Sequence, residues 1–239
     1  VTPFANLTGD GTLGWVGVGL QETLTWDLRR LPDLCVLDLQ DLVQQGKQSP
    51  ARLSGLTPDE LTILGGRLGV DVFLTGEYRG DGQGLSVRLV ALDTARRSIL
   101  ASRSFSAPLA RLVPQASDAL SELAPSLPMV SPPRLAEPSR RSEGPAPSAL
   151  AARARGMAAT AESLLGGGRE PLMAALDQFR QAVRDDPADG EAWYRLGEAL
   201  VRAAEYDDAR QALQRALAMA RVASDRALEV AVLNQIGDS

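Results

Sequence analysis

Residues 193–216 read WYRLGEALVRAAEYDDARQALQRA, with apolar residues three or four positions apart on either side of a short turn. That spacing predicts two amphipathic helices, each with one buried face. Gly197 and Ala209 have little or no side chain, so the two helices can approach closely there. Four larger residues are placed to fill the space between the helices: Trp193, Leu196, Leu200 and Leu213. The stretch therefore predicts an antiparallel helical hairpin.

The same residues resemble a tetratricopeptide repeat, whose pattern is W-x2-L-G followed by Y-x2-A-x3-L-x2-A. Its structural positions are held by Trp193, Leu196, Gly197, Ala209 and Ala216. Thirty-four residues before Ala209, Leu213 and Ala216 stand Ala175, Phe179 and Ala182, and Pro187 closes that earlier unit. We expect residues 149–239 to be entirely helical and to hold about two and a half units.

Both units depart from the pattern. The first has three glycines, Gly166 to Gly168, between its helices and lacks the tryptophan and the Leu-Gly pair, while the second has Arg221 where a proline would close it. A third start, Leu233-x2-Ile236-Gly237, follows 40 residues after Trp193 and resembles the longer repeats of MalT-like arrays. Such arrays usually need about three units and a polar cap. We therefore expect that the chain is a fragment, or that a second copy covers its open repeat end to give a homo-oligomer.

Prolines place the boundary between two domains. Seven of the 15 prolines lie between Pro125 and Pro147, and the segment lacks apolar periodicity. Such a segment can neither sustain a helix nor pair as a central strand. We predict a first domain at residues 1–124, a proline-rich linker at 125–148 and the helical repeats after it.

The first domain alternates between the periods of helices and strands. The predicted strands are Val1–Phe4, Leu34–Leu39, Val70–Arg79, Leu85–Leu92 and Ile99–Phe105. The predicted helices are Gly17–Leu31, a helix that begins after Thr57 and ends at Gly69, and Pro108–Leu123. The order β-α-β-α-β-β-β-α predicts an α/β (α+β) fold in which helices back a mixed sheet.

Three local features carry finer expectations. Thr57 and Glu60 have the spacing of a capping box, with Pro58 in the first helical turn. Glu77 and Arg88 fall on the wetter face of the sheet, as a cross-strand pair or as part of a docking surface. The single cysteine, Cys35, lies in an apolar run and is expected to be a buried strand residue.

These residues resemble the amino-terminal domain of TolB and the TolB-like domains of bacterial multi-domain proteins. The resemblance covers about residues 1–124 and rests on VTPFANLTGD with the helix GLQETLTWDLRRLPDL, and on LGGRLGVDVFLTGEYRGDGQGLSVRLVALDT followed by SRSF. Relatives often carry a glycine in the turn after Asp93, where this chain has residues 94–97 as TARR.

Residues 9–14 match the glycine pattern G-x-G-x-x-G of dinucleotide-binding loops. In that motif the first glycine follows the strand almost at once and the third lies at the start of the helix. Here residues 5–8 intervene and helical periodicity begins only beyond Gly17. We favour a connecting loop in which three side chains satisfy their own backbone and cap the next helix: Asn6, Thr8 and Asp10.

Composition excludes several kinds of chemistry. The chain has no histidine and one cysteine, which removes Ser-His-Asp and Cys-His catalysis, histidine zinc sites and internal disulfides. A net charge of −5 argues against nucleic-acid binding by this region, and no apolar run reaches the length of a membrane span. The carboxylate pairs Asp38/Asp41 and Asp185/Asp186 are interpreted as helix-end or turn residues. We therefore expect no catalytic, cofactor-binding or metal-binding residues.

Tetratricopeptide relatives bind proteins in a groove lined by the first helix of each unit. Repeat offsets place five residues on that groove: Glu191, Tyr194, Glu198, Val201 and Arg202. Relatives that hold a peptide's carboxyl terminus use a lysine and an asparagine where this chain has Tyr194 and Glu198, so such a ligand is not expected. Glu191 and Glu198 favour a basic or mixed segment of a partner.

Three functions follow from these resemblances. The favoured one is a non-catalytic scaffold that assembles partners in or near a bacterial cell envelope, which favours the periplasm over the cytoplasm. The alternative is the sensory or interaction region of a cytoplasmic regulator with a DNA-binding or cyclase domain. A nucleotide-binding enzyme is a distant third.

Overall fold

A computed structural model of the chain describes residues 1–31, 34–80, 82, 84–128 and 144–237. The chain divides into two compact units, Val1–Gly144 and Pro145–Ser239. The helices are α1 Trp15–Arg29, α2 Leu39–Gly46, α3 Pro50–Ser54, α4 Pro58–Leu68, α5 Leu112–Leu123, α6 Pro147–Glu162, α7 Arg169–Asp185, α8 Gly190–Arg202, α9 Tyr206–Val222 and α10 Arg226–Gly237. The strands are β1 Ala5–Asn6, β2 Val72–Gly80, β3 Leu85–Asp93 and β4 Ser98–Ala107. None of these helices is both long and apolar enough to cross a membrane.

The first unit is built on a mixed four-stranded sheet in the order β1-β2-β3-β4. β1 is parallel to β2, and the other two neighbouring pairs are antiparallel. Leucines of α1, among them Leu20 and Leu24, share a buried cluster with Leu74, Val87 and other inward residues of the sheet. α5 contributes to the same cluster, so α1 and α5 form the helical layer behind the sheet, as the alternating pattern predicted.

The predicted strand Leu34–Leu39 is wrong. Residues 34–38 form neither strand nor helix, and α2 begins at Leu39. Asp38 is the N-cap: its carboxylate accepts from the N–H of Asp41 at 2.9 Å, and the Asp41 carboxylate accepts from the N–H of Asp38 at 3.0 Å. This reciprocal capping stabilises a helix start and competes with the strand that the apolar run favours. The order of elements therefore becomes β-α-α-α-α-β-β-β-α.

The exposure of Cys35 corrects a second expectation. Its thiol is free and exposed rather than buried in a strand. Because residues 34–38 are not part of the sheet, alternate side chains there are not forced into the core. Pro32 and Asp33, the turn predicted before this segment, lie outside the described residues.

The capping box of α4 is confirmed. The hydroxyl of Thr57 accepts from the N–H of Glu60 at 3.3 Å, and the Glu60 carboxylate accepts from the N–H of Thr57 at 2.8 Å. Gly69 ends the helix in the left-handed conformation, with φ of +65°. The capping residues in the sequence therefore predicted both ends of α4.

The glycine pattern of residues 9–14 forms a self-bonded loop. The side-chain oxygen of Asn6 accepts from the N–H of Thr8 at 2.9 Å, and the Asp10 carboxylate accepts from the N–H of Thr12 at 2.8 Å. The hydroxyl of Tyr78 donates to the carbonyl of Leu13 at 2.9 Å, and burial raises the pKa of Tyr78 to about 12. The predicted backbone-satisfying role of Asn6, Thr8 and Asp10 is confirmed. Asp10 caps the 3-10 turn Gly11–Leu13, however, and no side chain caps α1, which starts at Trp15, two residues before the predicted start.

On the more exposed face of the sheet, β2 and β3 pair in the predicted register, but Glu77 forms an ion pair other than the predicted one. Glu77 lies directly opposite Arg88 on the neighbouring strand. The Glu77 carboxylate, however, pairs with Arg79 on its own strand at 3.3 Å. The hairpin loop between these strands is described only at Gly82 and Gly84, and Asp81 and Gln83 lie outside the described residues.

The second unit is a series of helices, each in contact with the next. α6 packs on α7, α8 on α9 and α9 on α10, and α8 also contacts α6 and α10. The three-glycine connection forms a turn in which Gly166 and Gly168 have φ of +97° and +74°, values that favour glycine.

The two ends of the predicted linker, 125–148, belong to ordered elements. Residues up to Ser126 continue a 3-10 turn after α5, and α6 already starts at Pro147. Proline is tolerated there because the N–H groups of the first helical turn have no acceptor within the helix. The lack of an N–H in proline therefore costs no helical hydrogen bond. Residues 129–143 of that linker lie outside the described residues.

Candidate protein-binding surface

The start of α8 is fixed by Asp189. Its carboxylate oxygen accepts from the N–H groups of Glu191 and Ala192, at 3.0 and 3.1 Å, as an N-cap. The preceding turn continues from Asp186, whose carboxylate accepts from the N–H of Ala188 at 3.1 Å. Asp186 is therefore a turn residue, as predicted.

A buried arginine joins α6 to this helix start. The Arg153 guanidinium lies 2.7 Å from a carboxylate oxygen of Asp189 and 2.8 Å from one of Glu191. The three side chains are almost wholly buried, at 0%, 6% and 4% exposure. The buried cation attracts both carboxylates strongly, and these attractions offset the desolvation of the three charges. The cluster therefore ties the first helices of two successive pairs together.

A second group of charges lies one turn further along α8. The hydroxyl of Tyr194 donates to one carboxylate oxygen of Glu198 at 3.0 Å. The guanidinium of Arg195 donates to the other at 2.7 Å and lies 5.4 Å from the centre of the Tyr194 ring. The charge of Glu198 is thus compensated within its own helix.

The five predicted groove residues divide into two kinds. Glu191 and Tyr194 are buried, and Glu198 keeps only 14% of its side chain exposed. Val201 is half-buried and Arg202 is exposed, both at the carboxyl end of α8. The assignment of these residues to a partner-binding groove stays a prediction. Both acidic members have an internal arginine partner, a feature the repeat offsets did not indicate.

The structural positions of the repeat lie between α8 and α9. Leu196, Ala209 and Ala216 are buried at 5%, 1% and 0% exposure. A Cβ atom added to Gly197 would lie 2.6 Å from Cγ and Cδ2 of Leu213, so this glycine admits the leucine. The Trp193 ring is stacked by the Arg215 guanidinium of α9 at 4.5 Å and donates from Nε1 to the carbonyl of Pro187 at 3.0 Å.

The first helix pair has its own glycine, which the sequence reasoning missed. A Cβ atom added to Gly156 of α6 would lie 2.6 Å from the ring of Phe179 on α7, so Gly156 takes the place that Gly197 has opposite Leu213. Gly156 precedes Phe179 by 23 residues, whereas Gly197 precedes Leu213 by 16. The connection at 163–168 is longer than that at 203–205, and Phe179 also lies further into α7 than Leu213 does into α9, so Gly156 is out of register with a 34-residue period. In this alignment Arg153 takes the position of Tyr194.

Within the described ranges, no group of three or more cysteine, aspartate and glutamate side chains is placed to hold a metal ion. The Asp38/Asp41 pair caps α2 and also contacts Arg29 of α1, whose guanidinium lies 3.2 Å from Asp38. Burial, and then the charge of Asp38, raises the pKa of Asp41. The place of Asp41 in this cap accounts for its closeness to Asp38.

Part of the chain matches a known protein family. Residues 173–228 match the model of the tetratricopeptide repeat, from the first turns of α7 into the start of α10. Curated protein sequences give no significant match to the chain. The matched segment contains the pairs Gly197–Leu213 and Trp193–Arg215 and all five residues of the predicted groove. Residues 173–228 of this chain are therefore a tetratricopeptide repeat.

Proposed function

We propose that this chain is a non-catalytic scaffold whose tetratricopeptide region binds a partner protein or peptide along α8. The observation that carries the proposal is the family match over residues 173–228, on helices that each pack against the next. Stacked helix pairs of this kind offer the face of their first helices to a partner.

The proposed contact is the carboxyl end of α8. Arg153 and Arg195 compensate the charges of Glu191 and Glu198, so these carboxylates are poorly suited to select a basic ligand. Val201 is half-buried and offers an apolar surface there. The segment bound there has an apolar side chain.

The first unit is proposed to be a TolB-like domain, and the setting to be assembly at a bacterial cell envelope. The sequence motifs of residues 1–124 support this proposal, as does a mixed sheet backed by α1 and α5. A cytoplasmic regulator is the alternative setting. Fractionation of cells that express the complete gene separates the two, because the envelope role requires the protein outside the cytoplasmic fraction.

A displayed peptide library selected on the full chain tests the binding role. The affinity of each selected peptide is then measured by fluorescence anisotropy for wild type, Val201→Asp and Arg210→Asp. Arg210 is an exposed residue of α9, the second helix of the pair, and serves as the matched control. The proposal expects Val201→Asp to weaken binding and Arg210→Asp to leave it unchanged. Equal affinities for all three proteins, or no selected peptide, would contradict it.

A further inference from the structure

The two edges of the sheet differ greatly in length. β1 has two residues, whereas β4 at the opposite edge has ten and has no further strand on its outer side among the described residues. An open edge strand presents backbone N–H and C=O groups that can pair with another strand. Proteins usually protect such edges with lysine, proline or a bulge.

β4 has little of this protection beyond one bulge. The register shifts between Ala91 and Leu92 of β3, so that Leu100 is the extra residue of β4. The seven residues after it, Ala101–Ala107, pair regularly with β3 and contain no proline or lysine. Their one charge, Arg103, lies 3.5 Å from Glu122 of α5. Ser102, Ser104 and Ser106 are exposed.

We propose that this edge pairs with β4 of a second copy, antiparallel about Ser104, to form a continuous eight-stranded sheet. In that register Ser102 faces Ser106 of the other copy, and Arg103 faces Phe105. Serine pairs across strands can exchange hydrogen bonds, and an arginine beside an aromatic ring gains a cation–π contact. The inference concerns the first unit and does not rest on the proposed function of the repeats.

The neighbouring registers are poorer. Moving the centre to Arg103 places two like charges directly opposite each other, which destabilises a strand pair. Moving it to Ser102 brings the bulged Leu100 into the paired segment and shortens the regular ladder. The register about Ser104 is the one that uses all seven regular residues without a charge conflict.

Sedimentation velocity of the full chain over a concentration series tests the proposal with two matched variants. The double variant S102D/S106D places like charges opposite each other twice, and S102D/S106K places opposite charges there. Circular dichroism checks that both variants fold, as expected for changes at exposed positions. The proposal expects a concentration-dependent dimer for wild type and S102D/S106K, and a monomer for S102D/S106D at the same concentrations.

Three results would overturn the proposal. One is a wild-type protein that stays monomeric throughout the series. Another is a dimer of S102D/S106D as tight as that of wild type, which would place the contact elsewhere. The third is an S102D/S106K variant as weak as S102D/S106D, which would exclude the register about Ser104.

Discussion

Gly156 of α6 lies against the ring of Phe179 on α7, so closely that a Cβ atom at residue 156 would be 2.6 Å from ring carbon Cε1. Leu213 has the same relation to Gly197 in the next helix pair. Each pair thus has one backbone contact in which a glycine admits a large apolar side chain. The two pairs share this contact although the first pair lacks the tryptophan and the Leu-Gly pair.

Gly156→Ala should lower the stability of the second unit by about 1–3 kcal/mol, because the added methyl group forces the Phe179 ring to move in a packed interface. Gly66→Ala is the control, since Gly66 is exposed in α4 and a Cβ there meets nothing within 4 Å. This second change should stabilise α4 by up to about 1 kcal/mol through helix propensity. Calorimetry of both variants measures the effects, and a neutral Gly156→Ala would contradict the proposed contact.

Arg153→Met should destabilise the second unit by about 3–5 kcal/mol, because it leaves the buried carboxylates of Asp189 and Glu191 without their cation. Arg180→Met removes the exposed pair with Glu205, where both side chains keep about a third of their surface, and should cost less than about 1 kcal/mol. Denaturant unfolding of the two variants gives the comparison. Equal losses of stability in the two variants would show that the buried ion pairs of Arg153 contribute no more than the exposed pair of Arg180.

Acid should remove the contribution of Glu60 to the stability of α4. The backbone N–H of Thr57, then its hydroxyl and then Arg52 lower the pKa of Glu60 below its ordinary value of 4.5. A lowered folded-state pKa means that the carboxylate stabilises the fold above the unfolded-state pKa and loses this effect as the pH falls through the folded-state pKa. Glu60→Gln keeps an acceptor for the capping box but not the charge.

The stability difference between wild type and Glu60→Gln should therefore favour wild type at pH 7 and vanish once the pH has fallen below the lowered folded-state pKa of Glu60. Urea unfolding at a series of pH values measures it. A difference that stays constant over the series would mean that the charge of Glu60 has no role.

Cys35 should react with a small thiol reagent in the folded protein, at one thiol per chain, because its side chain is exposed. The reagent is added with and without denaturant, and the extent and rate of labelling are compared. A Cys35→Ser variant gives the background. Labelling that occurs only in denaturant would mean that Cys35 is buried, as the apolar run predicted.

Local rules predicted the parts of the fold that short segments decide. Thr57, Glu60 and Gly69 marked both ends of α4, and the alternation of β2 and β3 gave their paired register. The apolar run around Cys35 was ambiguous, since periodicity alone did not reveal that Asp38 and Asp41 cap a helix there. The spacing of these two aspartates, which is that of a capping pair, was the sequence signal that indicates a helix start there.

Charge partners across the second unit were beyond the reach of the repeat pattern. Offsets within one unit placed Glu191 and Glu198 on a groove, but Arg153 comes from α6, 36 residues before Asp189. The alignment of Gly156 with Gly197 leads to it, but the wider spacing between Gly156 and Phe179 in the first pair obscures that alignment. The repeat match therefore gave the helices of the site but not the pairing of its charges.

Hydrogen exchange of the full chain, with and without a peptide selected from the displayed library, tests the central claim most directly. We predict slower exchange on binding in α8, from Gly190 to Arg202, with little change in α9 around Arg210. Protection confined to the first unit, or spread over α9 while α8 is unchanged, would contradict a partner-binding surface on α8.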